Sequence, residues 1–453
     1  MIFYKEEKKG LQSIFTKVVT NESGNILHEK TVSLPLYKVD FNGLDYFILY
    51  DENMIPNKKF YQFLNFKLID TSINSRNKAA FTLKLFYSFL SLTGYTEDNL
   101  GEVALRELIL FIKGVNSNPE SYSIITNRSN KTVNNYLSTI RSYFLFSNIY
   151  CDSLFRTQDS YNSNSSNFIE LKNDTKFLNN LKNSDYSSDT VPKYISPIEF
   201  RKLYKIFIEN NDTQAKIITH LMYGYGMRLG EVLGITLEDI TEITHDGKQI
   251  PAILLRNRIS DSRFQFAKGL PHIINSKQYF SRDYISSTVK IIITYSLYED
   301  LINYIEENHS YYIDKYPNNY HSGIADIVSK QSNLEENHYV FLNRYGKILN
   351  DQTWNNKLKK YFKLANIPVD SNYKENNLSH RFRHGFAMFH ARFSNRPADT
   401  LSLQKMMRHK SISSTLVYYN PTPDDEYKIK TEFQNDLYEM IPELRKGFEH
   451  EYE

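Results

Sequence analysis

A chain of 453 residues with a formal net charge of +3 is too long for one typical core and predicts two or three domains. No apolar run approaches the ~20 residues needed to cross a bilayer. Charged residues from Lys5 to Lys9 interrupt any signal-peptide core, which predicts a cytoplasmic protein without a membrane partner. A single cysteine, Cys151, excludes an internal disulfide and a multi-cysteine zinc site.

The small total charge hides a gradient. Residues 195–420 carry about 29 Lys/Arg against about 22 Asp/Glu, and residues 56–150 about 11 against about 6. After Asn420 the sign reverses, with about 10 acidic residues against about 4 basic. Two basic blocks and an acidic tail suit contact with DNA. A solvated surface of mixed charge accounts for the same counts, so charge alone decides nothing.

In chain order, residues 1–55 read as a β-rich segment, with β-type runs at Ser13–Val19 and Tyr46–Tyr50 and a polar turn at Asn21–Asn25. From 56 to 151 the period becomes helical. Leu85, Phe86, Phe89 and Leu92 share a face before Gly94, and Leu105, Leu108, Ile109 and Ile112 repeat the pattern before Gly114. A third helix carries Val133, Leu137, Ile140 and Phe144, with Asn134, Ser138 and Arg141 on its other side. These make a compact bundle, in which Lys131 and Arg141 are candidate DNA phosphate contacts.

Residues 152–193 turn rich in Ser, Asn and Asp and read as a linker. Ser196-Pro197-Ile198-Glu199 then supplies an N-cap, a proline at N1 and a glutamate at N3, which opens a domain over 194–420. It begins with helices, followed by a β-region with a turn at Asp246-Gly247 and a strand at Ile253–Leu255. Tyr339–Leu342 reads as a strand before an Asp351-capped helix carrying Trp354. The tail, 421–453, is acidic with a helical stripe at Phe433, Leu437, Ile441 and Leu444. The fold class expected is mainly α with small β-sheets, an α+β chain.

One stretch carries chemistry. His380-Arg381-Phe382-Arg383-His384 is followed by Met407-Arg408-His409 and, nine residues later, by Tyr418. Far upstream, Arg228 sits in Gly226-Met227-Arg228-Leu229-Gly230-Glu231, with Glu231 placed to brace its guanidinium. Two guanidinium forks suit the non-bridging oxygens of a phosphodiester, and a phenol is an unusual nucleophile. The competing reading of His380 and His384 as zinc ligands lacks the glutamate that the metalloprotease pattern requires, since Arg381 stands there. The neighbouring cations Arg381 and Arg383 also oppose a dication.

Together these residues resemble the tyrosine recombinase, or phage integrase, family. Its pattern is an arginine in a Gly-x-Arg-x-[Gly/Ser]-Glu turn, a hairpin lysine, His-x-x-Arg-His, Gly-His, and a tyrosine nine residues after that histidine. Arg228, His380, Arg383, His409 and Tyr418 match in order. The glycine usual before the second histidine is Arg408 here. Asn395-Arg396-Pro397-Ala398 is an insertion between Arg383 and His409. Residues 256–330 run longer than a minimal member needs; Lys268, in Phe266-Ala267-Lys268-Gly269 after the strand ending at Arg256, best suits the hairpin lysine, with Lys277 and Lys290 as rivals.

The resemblance implies a helical core-binding (SAM-like) domain at 56–151 and a mixed α/β catalytic domain at 194–420, clamping double-stranded DNA. It implies attack by Tyr418, with Arg228 and Arg383 on the phosphate, His380 as proton acceptor, Lys268 as acid for the leaving 5′ oxygen, and His409 as a further phosphate contact. No cofactor or metal is required by that chemistry. It implies a homotetramer on synapsed DNA, coupled through the tail helix. The expected function is integration or excision of a mobile element. The rivals are a chromosome or plasmid dimer resolvase, a type IB topoisomerase, and a non-catalytic DNA-binding protein with a degenerate site.

Overall fold

The computed structural model describes residues 2–9, 12–41, 44–114, 122–123, 126–159, 175–181, 191–257, 267, 270, 281–321, 337–369, 378–420 and 439. The chain divides into two units, Met1–Asp185 and Tyr186–Glu453. Lys268, Lys277 and the tail stripe at 433–444 lie outside the described residues.

In the first unit, β1 (Ile2–Lys9), β2 (Gln12–Thr20) and β3 (Ile26–Val32) form an antiparallel meander, and β4 (Leu36–Phe41) pairs with β5 (Leu44–Leu49) in a hairpin. A short β6 (Tyr122–Ser123) adds in parallel to β1. The turn between β2 and β3 closes as its sequence suggests: the Asn21 side chain accepts from the Asn25 amide at 2.8 Å. The helices are α1 (Lys58–Gln62), α2 (Ile73–Thr93), α3 (Glu102–Lys113), α4 (Asn130–Phe146) and α5 (Asp152–Phe155). Ser72 and Ser129 cap α2 and α4 through their hydroxyls, and Gly94 ends α2 at φ 80°, where a side chain would be strained.

The three stripes predicted on the helices of this unit are buried, and burial of each large apolar side chain contributes about 1.5–3 kcal/mol relative to exposure. Phe111 of α3 meets Tyr4 and Phe15 of the sheet, with ring centroids 6.0 and 5.1 Å apart. The strands therefore share one core with the helices.

Arg141 corrects an expectation. Its residue is only 4% exposed, because Nε donates to the Leu154 carbonyl at 2.9 Å and a terminal nitrogen to Asn180 Oδ1 at 3.1 Å. The guanidinium lies 3.9 Å over the Phe177 ring. It thus ties α4 to the hairpin of β7 (Thr157–Asp159) and β8 (Thr175–Phe177) and is not available to a phosphate. Asn134 is also engaged, both giving to and accepting from the Leu181 backbone. The face of α4 left exposed is Lys131, Asn135, Ser138 and Ser142.

The second unit opens with α6 (Pro197–Glu209), and the Ser196–Glu199 capping box forms in both directions. Next come α7 (Thr213–Gly224), α8 (Leu229–Leu233) and a three-stranded antiparallel sheet of β9 (Ile240–His245), β10 (Lys248–Leu255) and β11 (Val289–Ile292), ordered β11-β10-β9. Asp246 and Gly247 both take positive φ, the requirement of a tight hairpin turn. The remaining helices are α9 (Arg282–Ser286), α10 (Tyr295–Lys315), α11 (Pro317–His321), α12 (Asp351–Leu364), α13 (His380–Met388), α14 (Thr400–Met407) and α15 (Ser413–Leu416).

Two local expectations shift. Tyr339–Leu342 makes only isolated bridges, Tyr339 with Thr236 and Leu342 with Ile348, since buried side chains hold this segment rather than a ladder. The cap of α12 is Asn350, whose side chain accepts from the Thr353 amide at 2.8 Å, so Asp351 falls one residue inside.

The core of this unit fixes where α13 begins. Trp354 is fully buried; its indole N–H donates to the Ser379 hydroxyl at 3.0 Å, which donates to Asn355 Oδ1 at 2.9 Å. Gly385 lets α13 approach the start of the unit, where a Cβ would fall 2.5 Å from both the Ile195 carbonyl and the Tyr223 ring.

Arg141→Ala should destabilise the first unit by about 1–3 kcal/mol in chemical denaturation, the cost of leaving buried partners unpaired. Lys131→Ala should stay within about 0.5 kcal/mol of the parent. Equal effects of the two would mean that Arg141 is not an internal cross-link.

Candidate active site

Four segments far apart in sequence converge in the second unit. The first is the turn before α8, where Gly226 takes φ 60° and a Cβ would fall 2.7 Å from the Phe386 ring. Arg228 follows as the N-cap of α8, and its backbone N–H donates to Glu231 Oε2 at 2.8 Å. The second is α13, which begins with His380 and carries Arg383 and His384. The third is the end of α14, where Arg408 and His409 follow Met407. The fourth is α15 and the turn after it, which presents Tyr418.

Arginines join these segments. Arg383, 3% exposed, donates through its two terminal nitrogens to the carbonyls of Gly226 and Met407, so one side chain holds the Arg228 turn against the end of α14. Arg228 reaches Glu231 Oε1 at 2.8 Å, and Arg408 reaches Glu231 Oε2 at 2.7 Å. Arg408 also donates to the Gly226 carbonyl at 3.2 Å, and Arg228 to the Arg408 carbonyl at 3.4 Å.

The electrostatics follow from this crowding. Burial works to raise the Glu231 pKa, but Arg408, Arg228 and Arg383 outweigh it and hold the carboxyl below its ordinary value. Arg383 is pulled down to about 9 by burial and by the charge of Arg228, and it stays cationic at neutral pH. His409 is lowered to about 4 by burial and the arginines, and its Nδ1 bonds the Thr415 hydroxyl at 3.0 Å.

Tyr418 is 2% exposed and its hydroxyl lies 2.8 Å from His384 Nδ1. Burial raises the phenol to about 12, against the opposing pull of Arg383 and Arg228. His384 is lowered to about 3 by burial, then by His380, Arg383 and His409, so its ring is neutral at pH 7 and can accept the phenol proton. The His409 ring lies parallel to the phenol, with centroids 6.3 Å apart and planes at 15°.

His409 in turn lines a cleft of about 420 Å³ together with Arg228, Glu231, Arg408, Lys410 and Ser411. Among the described residues no group of three or more His, Cys, Asp or Glu is placed to hold a metal ion.

Arg228, Arg383, His409 and Tyr418 are thus brought together as the spacing led us to expect. His380 is exposed at the head of α13, its ring 6.1 Å from that of His384, and the phenol contact expected of His380 is made by His384. The sequence carried a signal for this: His384 is the last residue of the His-x-x-Arg-His run, one turn of helix beyond His380. Lys290 is exposed on β11, and its neighbour Val289 lines the cleft. Alternation along a strand therefore directs Lys290 to the opposite face. Lys410, in the cleft wall, was not singled out; its only sequence mark is that it follows His409. Tyr419 turns away, its hydroxyl donating to the Ala398 carbonyl at 2.5 Å.

Residues 318–424 match the phage integrase family, a span that contains His380, Arg383, His409 and Tyr418. The fold brings in Arg228, which lies outside the matched span. Tyrosine recombinase XerC of Listeria welshimeri is 21% identical over 302 residues, or 65% of this chain and 73% of the relative. The XerH site-specific recombinase in a post-cleavage complex with difH aligns at a TM-score of 0.46 and 15% identity, over 80% of this chain and 79% of that one. The Tn1549 transposon integrase with circular intermediate DNA aligns at 0.48 and 15%, over 83% and 98%.

The low pKa of His384 links the site to stability. The unfolded chain takes up this proton near pH 6.5 and the folded chain only near pH 3, so the contribution is complete above about 6.5 and is lost as pH falls. The slope is up to about 1.4 kcal/mol per pH unit. Between pH 7 and pH 5, His384→Gln should therefore lose about 2 kcal/mol less stability than the parent in denaturant unfolding. Identical losses in both proteins would place His384 in water rather than behind Tyr418.

Proposed function

We propose that this chain is a site-specific DNA recombinase that cleaves and rejoins duplex DNA through a 3′-phosphotyrosine on Tyr418. The observation that carries the reading is the Tyr418 hydroxyl held 2.8 Å from the neutral His384, beside the two arginines that the fold gathers from positions 228 and 383. A phenol, a proton acceptor and two fixed cations are the parts that in-line transfer of a phosphodiester requires.

In this reaction the Tyr418 oxygen attacks phosphorus, the bond from phosphorus to the 5′ oxygen breaks, and the phenol proton passes to His384 Nδ1. The products are a 3′-phosphotyrosine and a 5′-hydroxyl. The attack of that hydroxyl on the phosphotyrosine reverses the bonding and reseals a strand, so no external energy source is consumed. Before DNA binds, burial raises the phenol to about 12 and lowers the imidazole to about 3. The phenolate is therefore not formed in advance; its proton leaves as the new P–O bond develops.

Arg228 and the second N–H groups on the Arg383 terminal nitrogens bind the non-bridging oxygens. His409, with Nδ1 on Thr415, offers Nε2. Lys268 protonates the leaving 5′ oxygen. Because Tyr418 is 2% exposed, DNA engagement includes a movement of the Tyr418 turn.

The biological role we infer is integration or excision of a mobile element, by a homotetramer on paired DNA sites in the cytoplasm. The β-rich residues before the helices and the extended 256–330 region, more than strand exchange alone needs, support an element-encoded integrase over a dimer resolvase. The exposed face of α4, with Lys131 beside Asn135, Ser138 and Ser142, offers one cation and small hydrogen-bonding groups to a DNA backbone.

The test uses a duplex selected from a randomised pool for binding to the full chain, then nicked beside the cleavage point so that the released end diffuses away. The parent and Tyr419→Phe should form a denaturation-resistant protein–DNA adduct, and Tyr418→Phe none. Adduct from Tyr418→Phe, or none from the parent on DNA it binds, would overturn the proposal. His384→Ala should slow adduct formation by about 10²–10⁴-fold, the usual worth of a general base, and more than His380→Ala. Lys268→Ala should recover most of its rate when a sulfur replaces the leaving 5′ oxygen, because a thiolate (pKa about 8.5) needs no proton. An unrescued variant would remove Lys268 from that role.

A further inference from the structure

Arg408 stands where its backbone favours glycine. It ends α14 at φ 52° and ψ 44°, the left-handed region, where a Cβ crowds the following carbonyl. Its Nε is buried and has no hydrogen-bond partner. Both features cost stability, against the ion pair to Glu231 and the bond to the Gly226 carbonyl. What the side chain gains is a contact 177 residues away: it takes Glu231 Oε2 at 2.7 Å, while Arg228 is left with Oε1 at 2.8 Å.

Glu231 is 4% exposed and braced by the Arg228 backbone N–H as well, so the carboxylate cannot swing aside. An arginine alone with a carboxylate prefers to bind it two-pronged, edge to edge. With Oε2 already held by Arg408, Arg228 cannot close that fork.

We propose that Arg408 is a positioning residue of the phosphate site: it occupies one oxygen of Glu231 so that Arg228 stays singly bound and keeps its other N–H groups for the DNA phosphate. It also changes the charge balance, since one buried carboxylate is set against three guanidiniums rather than two. The proposal rests on the reading of this site as one that cleaves a phosphodiester. The same arrangement ties the chain before His409 to the Arg228 turn through the Gly226 and Arg408 carbonyls, so the two phosphate-facing segments move as one.

Arg408→Gly is the decisive variant, because it relieves the backbone and removes the side chain. It should unfold at a denaturant concentration no lower than the parent's, yet form adduct on the selected nicked duplex at least tenfold more slowly. Arg408→Lys keeps the charge without the fork and should regain part of the rate. Binding to the unnicked duplex should show the loss of about one phosphate contact, a salt slope shallower by about 0.9 in log Kd against log salt concentration. Parent-like rate and slope in Arg408→Gly would overturn the proposal, as would a rate loss matched by a loss of folding stability. A parent that forms no adduct refutes the phosphotyrosine reading instead, and the salt slope then decides the role of Arg408 alone.

Discussion

The carboxylate of Glu231 is the constraint on which the site depends. It is buried, held below its ordinary pKa, and contacted by Arg228 through side chain and backbone and by Arg408 from the end of α14. Three guanidiniums in so small a volume repel one another, and only a fixed anion makes the arrangement tolerable. Arg383 completes the frame by donating to the Gly226 and Met407 carbonyls, which are the backbone neighbours of the other two arginines. A cation-rich cleft is thereby assembled from segments separated by more than 150 residues, before any phosphate arrives.

The same frame sets the protonation states around Tyr418. Burial and nearby cations keep His384 neutral, and burial keeps Tyr418 protonated. In the unbound chain the phenol is both unreactive and covered, with the His409 ring beside it.

The sequence made the site legible because its geometry is carried by short, local spacings. His380 to His384 fits one helical turn, Arg228 and Glu231 fit an N-terminal cap, and nine residues separate His409 from Tyr418. Caps and helical stripes were legible for the same reason: Ser196–Glu199, Gly94 and the Leu85–Leu92 face obey local rules. What depends on tertiary packing was not. Arg141 lies on the polar side of a helical wheel, yet the β7–β8 hairpin folds over it. Asn134 is taken by the Leu181 backbone in the same way. Which of two histidines on α13 meets the phenol depends on where α15 docks. The shared core of β1–β3 with α3 depends on Phe111 meeting Tyr4 and Phe15, contacts between residues about a hundred positions apart.

The most direct measurement is to locate the covalent bond. After incubation with the selected nicked duplex, nuclease and protease digestion followed by tandem mass spectrometry should place a nucleotide phosphate on Tyr418, in the peptide that contains Tyr419 unmodified. A nucleotide on Tyr419, on another residue, or on none in a chain that binds the duplex would contradict the account.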